Sequence, residues 1–140
     1  MSFRSSPSTE TPSRAKPSSI LATPFNAAAD GLAISEDTSV AQEAAKAAPA
    51  SASVFKAFNT IFRHVLEKGR PLDVFIAGDN AQAKADVETF VASLGLRPLD
   101  VGGLKMAHWL EGAGLLEMGL ARHGVGHWDI ALSVTEFLTP

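Results

Sequence analysis

Three apolar runs decide the fold: VFKAFNT at 54–60, LDVFIA at 72–77 and LRPLDV at 96–101. Each is short and rich in β-branched or aromatic residues, which is typical of buried strands. Helical sequence follows the first two runs, closed by Gly69 and Gly95 respectively. Strands that alternate with helices predict an α/β fold with a mostly parallel or mixed sheet flanked by helices. Pro98 lacks a backbone donor, so we expect the third strand at a sheet edge.

The helices have recognisable start signals. Ser39 and Gln42 have capping-box spacing before an alanine-rich helix from Val40 to Ala48. Asp79 and Gln82 have the same spacing before a helix whose apolar face is predicted to contain Ala83, Val87, Phe90, Val91 and Leu94. A long glycine-containing helix, or two, is expected over 104–120, and the apolar segment 128–137 has no clear period.

The N-terminal segment has a different composition. Residues 1–19 are rich in Ser and Pro and are predicted to be a disordered tail. The prolines at 7, 12 and 17 weaken the alternative of a transit peptide, because they interrupt any amphipathic helix. From Ile20 the chain reads as a strand end followed by a turn at Thr23-Pro24.

Composition excludes several classes of function. The chain has 140 residues, enough for one domain, and a formal charge of -3 without a basic stripe, which argues against a nucleic-acid partner. It has no cysteine, so thiolate chemistry and thiolate metal sites are excluded. No apolar run is long enough for a membrane span and no secretory signal is present, so we expect a cytoplasmic protein.

Familiar catalytic motifs are weak in this sequence. The glycines at 112 and 114 and at 124 and 126 lack the third glycine and the preceding strand of a dinucleotide fingerprint, so helix packing explains them better. His123 and His127 are separated by glycines, so no metal site is expected there. Strand ends are more informative, because ligands of open α/β sheets bind beyond the carboxyl ends of strands. Three segments fit that position: 23–26, 58–60 and 78–80. Asn59 and Thr60 either face a ligand there or cap the next helix, and periodicity does not separate the two.

The same blocks carry a family resemblance. VFKAFNT at 54–60, DVFIAGD at 73–79 and GLRPLDVG at 95–102 resemble the NADPH-dependent reductases of the deazaflavin coenzyme F-420 and their relatives. ATPFN at 22–26 is similar to that family's Thr-Asn-Pro turn but lacks an asparagine between Thr23 and Pro24. The likeness extends over about 22–134 and covers the C-terminal portion of the family's pattern.

The resemblance implies an incomplete Rossmann-like domain over 20–103 and a C-terminal helical segment over 104–140, whose 104–120 helix would pack or form a homodimer. It implies hydride transfer between NADPH and a deazaflavin or similar acceptor, with no protein side chain as catalytic group, since cofactors carry that chemistry. Thr23, Pro24, Asn59 and Thr60 would line the nicotinamide end of an NADP site. The family's glycine-rich phosphate loop precedes these blocks, so we expect a truncated form, inactive by itself.

Two alternatives stay open. One is a non-catalytic interaction or dimerisation module without cofactor binding, and the other is a flavodoxin-type α/β domain. If the strand over 54–58 lacks a neighbour, its apolar edge would be exposed, and the chain would be marginally stable or oligomeric.

Overall fold

In a computed structural model, the chain is described over residues 25–28 and 30–138, with the backbone alone for 16–20. Thr23, Pro24 and residues 1–15 lie outside the described residues. The elements are β1 (Lys16–Ile20), α1 (Val40–Ala47), β2 (Ala52–Lys56), α2 (Arg63–Leu66), β3 (Asp73–Gly78), α3 (Ala81–Ser93), β4 (Arg97–Gly102) and α4 (Ala107–Arg122). A 3-10 turn, Leu104–Met106, precedes α4. No helix in this part of the chain is long and apolar enough to cross a membrane.

The strands form one mixed sheet in the order β1-β2-β3-β4, which confirms the predicted α/β class. β1 runs parallel to β2 and β3 runs parallel to β4, but β2 and β3 are antiparallel, with Phe55 opposite Gly78. The sheet has two edges that are formed by strand ends. The carboxyl ends of β1 and β2 therefore lie at one of these edges, and the carboxyl ends of β3 and β4 lie at the other. Residues 78–80 therefore lie at the opposite edge from residues 58–60.

β2 is an interior strand, because β1 pairs with it from Lys16 opposite Ala52 to Ile20 opposite Lys56. The expected unpaired edge over 54–58 is therefore absent in the described sheet. This pairing also differs from the expectation of a disordered tail for residues 16–19. Strand pairing uses backbone N–H and C=O groups, which a Ser-rich segment supplies as well as an apolar one. At the other side of the sheet β4 is an edge strand, as Pro98 predicted.

Two helix signals have different outcomes. Ser39 caps α1 as predicted and accepts a hydrogen bond from the Gln42 N–H at 3.0 Å. The cap of α3 is Asn80, whose Oδ1 accepts from the Ala83 N–H at 2.9 Å, so the assignment to Asp79 is wrong by one residue. Both residue types are good caps, and sequence spacing alone does not separate neighbours.

Alternate residues of the sheet face two apolar clusters. Val74 and Ile76 pack against α3, whose buried residues Ala83, Val87 and Val91 follow the predicted face. Phe90 and Leu94, which were expected on that face, are more than half exposed because the sheet contacts a narrower stripe of the helix. On the other face, Ala77 packs against α1 and α4. Lys56 is a buried polar exception on β2.

Candidate functional site

The candidate site begins at the carboxyl end of β2, where the chain turns sharply. Phe58 has a φ of 64°, the only positive value that the described non-glycine residues show. A bulky residue in this left-handed region is strained and persists only where the surrounding structure fixes the backbone. The turn directs Asn59 towards α4 and leaves Thr60 buried.

Asn59 contacts α4 directly. Its Nδ2 donates a hydrogen bond to the carbonyl oxygen of Leu110. A Cβ on Gly114 would lie 3.2 Å from the Asn59 carbonyl oxygen and 3.3 Å from the Phe25 ring. Glycine therefore allows α4, the Asn59 turn and the connection after β1 to meet at one point, because a side chain at this position would separate them.

The structure does not bear out the interpretation of Asn59 or Thr60 as a helix cap. Neither residue caps α2, because its cap position is Phe62, and no side chain makes a cap hydrogen bond there. The Oδ1 of Asn59 is buried and has no hydrogen-bond partner among the described residues. An unpaired buried acceptor is costly unless another group uses it. Within the described part of the chain, Asn59 therefore has an acceptor without a partner at the edge where β1 and β2 both end.

The other two predicted site residues, Thr23 and Pro24, lie outside the described residues. The next described residue is Phe25, whose ring lies against Gly114. Phe25 thus lies on α4 beside Asn59. We refer to Phe25, Asn59, Thr60 and Gly114 as the Asn59 site.

Glu117 is a polar residue near this site that the sequence analysis missed. It lies one helical turn after Gly114, has 0% exposed surface, and neither carboxyl oxygen has a hydrogen-bond partner among the described residues. Burial raises the pKa of Glu117 to about 8, so the group is mainly protonated at neutral pH. The available signal was an acid within the otherwise apolar run GLLEMGL at 114–120.

A buried ion pair fixes α4 on the sheet beside the site. The Nζ of Lys56 is 3.5 Å from the Oε1 of Glu111, and both side chains are inaccessible to solvent. Glu111 also accepts from the backbone N–H groups of Val40 and Ala41, at 3.1 and 3.4 Å. The position suits a carboxylate, because the first N–H groups of a helix lack partners within it. Burial lowers the pKa of Lys56, and the Glu111 charge opposes that effect.

The segment 78–80 has a structural role at the opposite edge. The Oδ1 of Asp79 accepts from the Leu104 N–H at 2.9 Å, while Asn80 caps α3. A Cβ on Gly103 would lie 2.8 Å from that same Asp79 oxygen, so a larger residue there would require the Asp79 carboxylate to shift. One side-chain oxygen of each residue is thus used within the protein.

The histidines do not assemble a metal centre. His64 Nε2 lies 3.2 Å from the Asp129 carboxylate, which also pairs with Lys68 at 2.9 Å. His108 Nδ1 lies 2.6 Å from the Thr38 carbonyl oxygen. Over the described ranges, no three side chains of the usual ligand types come together. A cavity of about 420 Å³ lies between the C-terminal segment and the start of β3, with Lys68, Leu72 and Ile130 among its lining residues.

Comparisons with known proteins agree with the fold. No model of a protein family matches the sequence. Among solved structures, the chain is similar to a candidate F-420-dependent NADP reductase from Arthrobacter sp. FB24, with 25% identity over 76% of this chain and a TM-score of 0.67. The chain spans 50% of the length of that protein. The similarity establishes a Rossmann-like α/β fold of the kind that this oxidoreductase has.

Proposed function

We propose that this chain contains the nicotinamide end of an NADP-dependent oxidoreductase of the coenzyme F-420 reductase type. The reaction is hydride transfer between NADPH and a deazaflavin or a similar acceptor. One observation carries the proposal: the Oδ1 of Asn59, at the edge where β1 and β2 both end, has no hydrogen-bond partner among the described residues. Ligands of α/β sheets bind beyond strand carboxyl ends, and the similar solved structure is named for an NADP reductase.

The residues present fit the nicotinamide part of the cofactor. A carboxamide has N–H donors, and Asn59 has a buried acceptor without a partner in the described part of the chain. Asn59 is fixed by Leu110 through its own amide nitrogen, so its oxygen is held in one orientation. We propose Thr23, Pro24 and Thr60 as the other residues that line this end of the site.

The phosphate part of the cofactor has no counterpart in the described residues. Phosphates in this fold class are bound by a glycine-rich turn between a strand and a helix. Gly112 and Gly114 lie inside α4, and Gly124 and Gly126 follow α4 rather than a strand. We therefore expect the ribose phosphates to contribute little affinity to this chain.

The role of the protein in the reaction is orientation and exclusion of water. NADP, when bound, supplies the hydride chemistry, and no side-chain acid is needed for that transfer itself. Asn59 would fix the carboxamide and thus the face of the ring that is presented. Phe25 and the buried Thr60 would limit the access of water on the β1–β2 side of the site.

Calorimetric titration with NADPH and with reduced nicotinamide mononucleotide tests the proposal. We expect the two dissociation constants to differ by less than about tenfold. A larger difference would require more than about 1.4 kcal/mol from contacts to the phosphates. Asn59→Ala should weaken both ligands at least about tenfold. Asn80→Ala is the matched control, because it removes the same side chain from the opposite edge. Failure of both ligands to bind the unchanged chain at millimolar concentration would contradict the proposal.

A second function, a dimerisation module, is favoured by one surface of α4. Trp109 and Leu116 are 66% and 62% exposed and lie two helical turns apart on one face. Gly112 lies between them, with open space where a side chain would be. We propose that two copies pair through the 104–120 helix. Sedimentation velocity should show a dimer that Trp109→Glu dissociates, whereas a monomeric unchanged chain would exclude this function.

A further inference from the structure

The C-terminal segment forms one wall of the cavity beside α2, and this wall is held in place along its length. The cavity lies between residues 129–133, the end of α2 and the start of β3. Three contacts hold the segment: the ion pair between Asp129 and Lys68 at 2.9 Å, the isolated β-bridge between Ala131 and Ile61, and the hydrogen bond from the Val134 N–H to Asp73 at 2.7 Å. Because these contacts are spaced along the segment, it keeps its position relative to the strands. The cavity is therefore a fixed feature of the fold.

The size and the apolar lining of this cavity suit a small molecule. Its volume is about 420 Å³, within the range of about 300–1,000 Å³ that is typical of ligand pockets. Its large apolar residues are buried or half-buried: Val65, Leu72, Ile130 and Leu132. Burial of apolar surface favours binding, so these side chains would contact the apolar part of a ligand.

The charges of the lining are balanced except at one position. Asp73 accepts two hydrogen bonds from Arg97 at 2.7 Å, and Asp129 pairs with Lys68. The hydrogen bonds from these cations are the main reason why the pKa of each carboxyl group is lowered, so both acids are ionised and paired at neutral pH. Arg70 also lines the cavity and has no hydrogen bond or ion pair with any described residue. One positive charge at the cavity is therefore not compensated within the described part of the chain.

The chemistry of Arg70 indicates the kind of ligand. Its guanidinium group is planar, stays charged, and presents N–H donors that fit the oxygens of a carboxylate, sulfonate or phosphate group. Arg70 is exposed, whereas Leu72, two residues further along, is half-buried. Charged and apolar parts of the lining thus adjoin each other, and a ligand that uses both needs an apolar body and an acidic group.

We propose that this cavity binds a small organic acid, a molecule with an apolar or aromatic body and one acidic group that pairs with Arg70. We refer to it as the Arg70 cavity. It shares no residue with the Asn59 site. The inference therefore does not rest on the proposed function, and either can fail without the other.

Fluorescence titration with anilinonaphthalene sulfonate tests the proposal, because this probe has aromatic rings and one sulfonate group. Phenylnaphthylamine is the matched neutral probe, since it has the same rings without the sulfonate. We expect saturable binding of the sulfonate. Arg70→Gln should weaken that binding at least about fivefold at low ionic strength, and high salt should reduce the difference. Binding of the neutral probe should be the same in both proteins.

Two further comparisons separate the Arg70 cavity from the rest of the surface. Arg63→Gln is the control for charge, because Arg63 is also an exposed arginine but pairs with Glu67 and does not line the cavity. Ser133→Trp should fill the cavity and weaken both probes, because Ser133 is part of its lining. Thr135→Trp adds the same side chain two residues further along the segment, outside the lining, and should leave both probes unaffected.

The proposal is overturned if Arg70→Gln and Arg63→Gln have equal effects on the sulfonate, or if neither probe binds the unchanged chain saturably. It is also overturned if Ser133→Trp, shown to be folded by circular dichroism, still binds the sulfonate as tightly as the unchanged chain. If Ser133→Trp does not fold, the comparison of the two arginine variants decides, because Arg70 is exposed and its replacement should not affect folding.

Discussion

Lys56 of β2 and Glu111 of α4 form an ion pair, with Nζ and Oε1 3.5 Å apart and both side chains withdrawn from solvent. The pair joins the strand that carries the Asn59 turn to the helix that covers it. Glu111 extends the contact to the first N–H groups of α1. Three elements thus depend on one carboxylate.

Removal of one partner of this pair should be more harmful than removal of both. Lys56→Met leaves an unpaired buried carboxylate and is expected to lower the free energy of unfolding by about 3–5 kcal/mol. The double variant Lys56→Met, Glu111→Leu should recover a large part of that loss. Urea denaturation gives all the values. The exposed pair Lys46–Glu43 is the control, since Glu43→Gln should have little effect on stability.

The glycines of α4 should respond in opposite directions to alanine. Gly114→Ala introduces a Cβ 3.2 Å from the Asn59 carbonyl oxygen, which is backbone and cannot easily move, so we expect a loss of about 1–3 kcal/mol. Gly112→Ala and Gly119→Ala meet no atom within 4 Å and should stabilise the helix by about 0.5–1 kcal/mol each. Thermal unfolding of the three variants measures these stability changes. Equal effects at the three positions would show that α4 does not approach the Asn59 turn closely.

Acid should weaken the attachment of the C-terminal segment. Asp73 accepts two hydrogen bonds from Arg97 and one from the Val134 N–H, each at 2.7 Å. The Arg97 hydrogen bond is the main reason why the pKa of Asp73 is lowered below 3.8. A lowered carboxylate pKa contributes stability above the unfolded value that is lost as the pH falls through the folded value.

Asp73→Asn should therefore reduce stability at neutral pH and flatten the decline below about pH 4. Arg97 is partly exposed, so solvent screening limits the loss. The exposed Glu36→Gln provides the comparison. If the stability of the Asp73 variant declines with falling pH as steeply as that of the unchanged chain, the Asp73–Arg97 pair does not cause the decline.

Glu117 should have the opposite effect on the pH dependence of global stability. Because its pKa is raised to about 8, its contribution is fully present below about pH 4.5 and is lost as the pH rises through the folded value. Glu117→Gln should therefore gain stability relative to the unchanged chain as the pH rises from about 5 to 8. Chemical denaturation at several pH values measures the difference. A constant difference would mean that Glu117 has an ordinary pKa in the folded protein.

The sequence predicted the elements better than their directions. Apolar runs at 72–77 and 96–101 became β3 and β4, because strands of this length need little more than a buried, β-rich run. The antiparallel pairing of Phe55 with Gly78 was not predictable, since residue pattern does not encode strand direction. The relative direction of β2 and β3 determines which strand ends lie at the same edge. Because the two strands are antiparallel, Asn59 and Asp79 lie at opposite edges. The strand pairing of residues 16–19 was not predicted because their composition is polar.

The candidate site was predicted only in part. Asn59 and Thr60 were chosen because they end an apolar strand, and neither of them caps α2. Their role in cofactor binding, with that of Thr23 and Pro24, stays a prediction. Glu117 was missed because an acid in a helix ordinarily faces solvent, and only the tertiary contacts of α4 bury it.

The side-chain amide resonance of Asn59 tests the central claim most directly. On titration with reduced nicotinamide mononucleotide, followed by ¹⁵N NMR spectroscopy, we predict a saturable shift of the Asn59 signal together with the backbone signals of Phe25 and Gly114. The Asn80 side chain, at the opposite edge of the sheet, should not shift. A saturable shift of Asn80 without Asn59, or no shift of either, would contradict the assignment of this edge as the nicotinamide site.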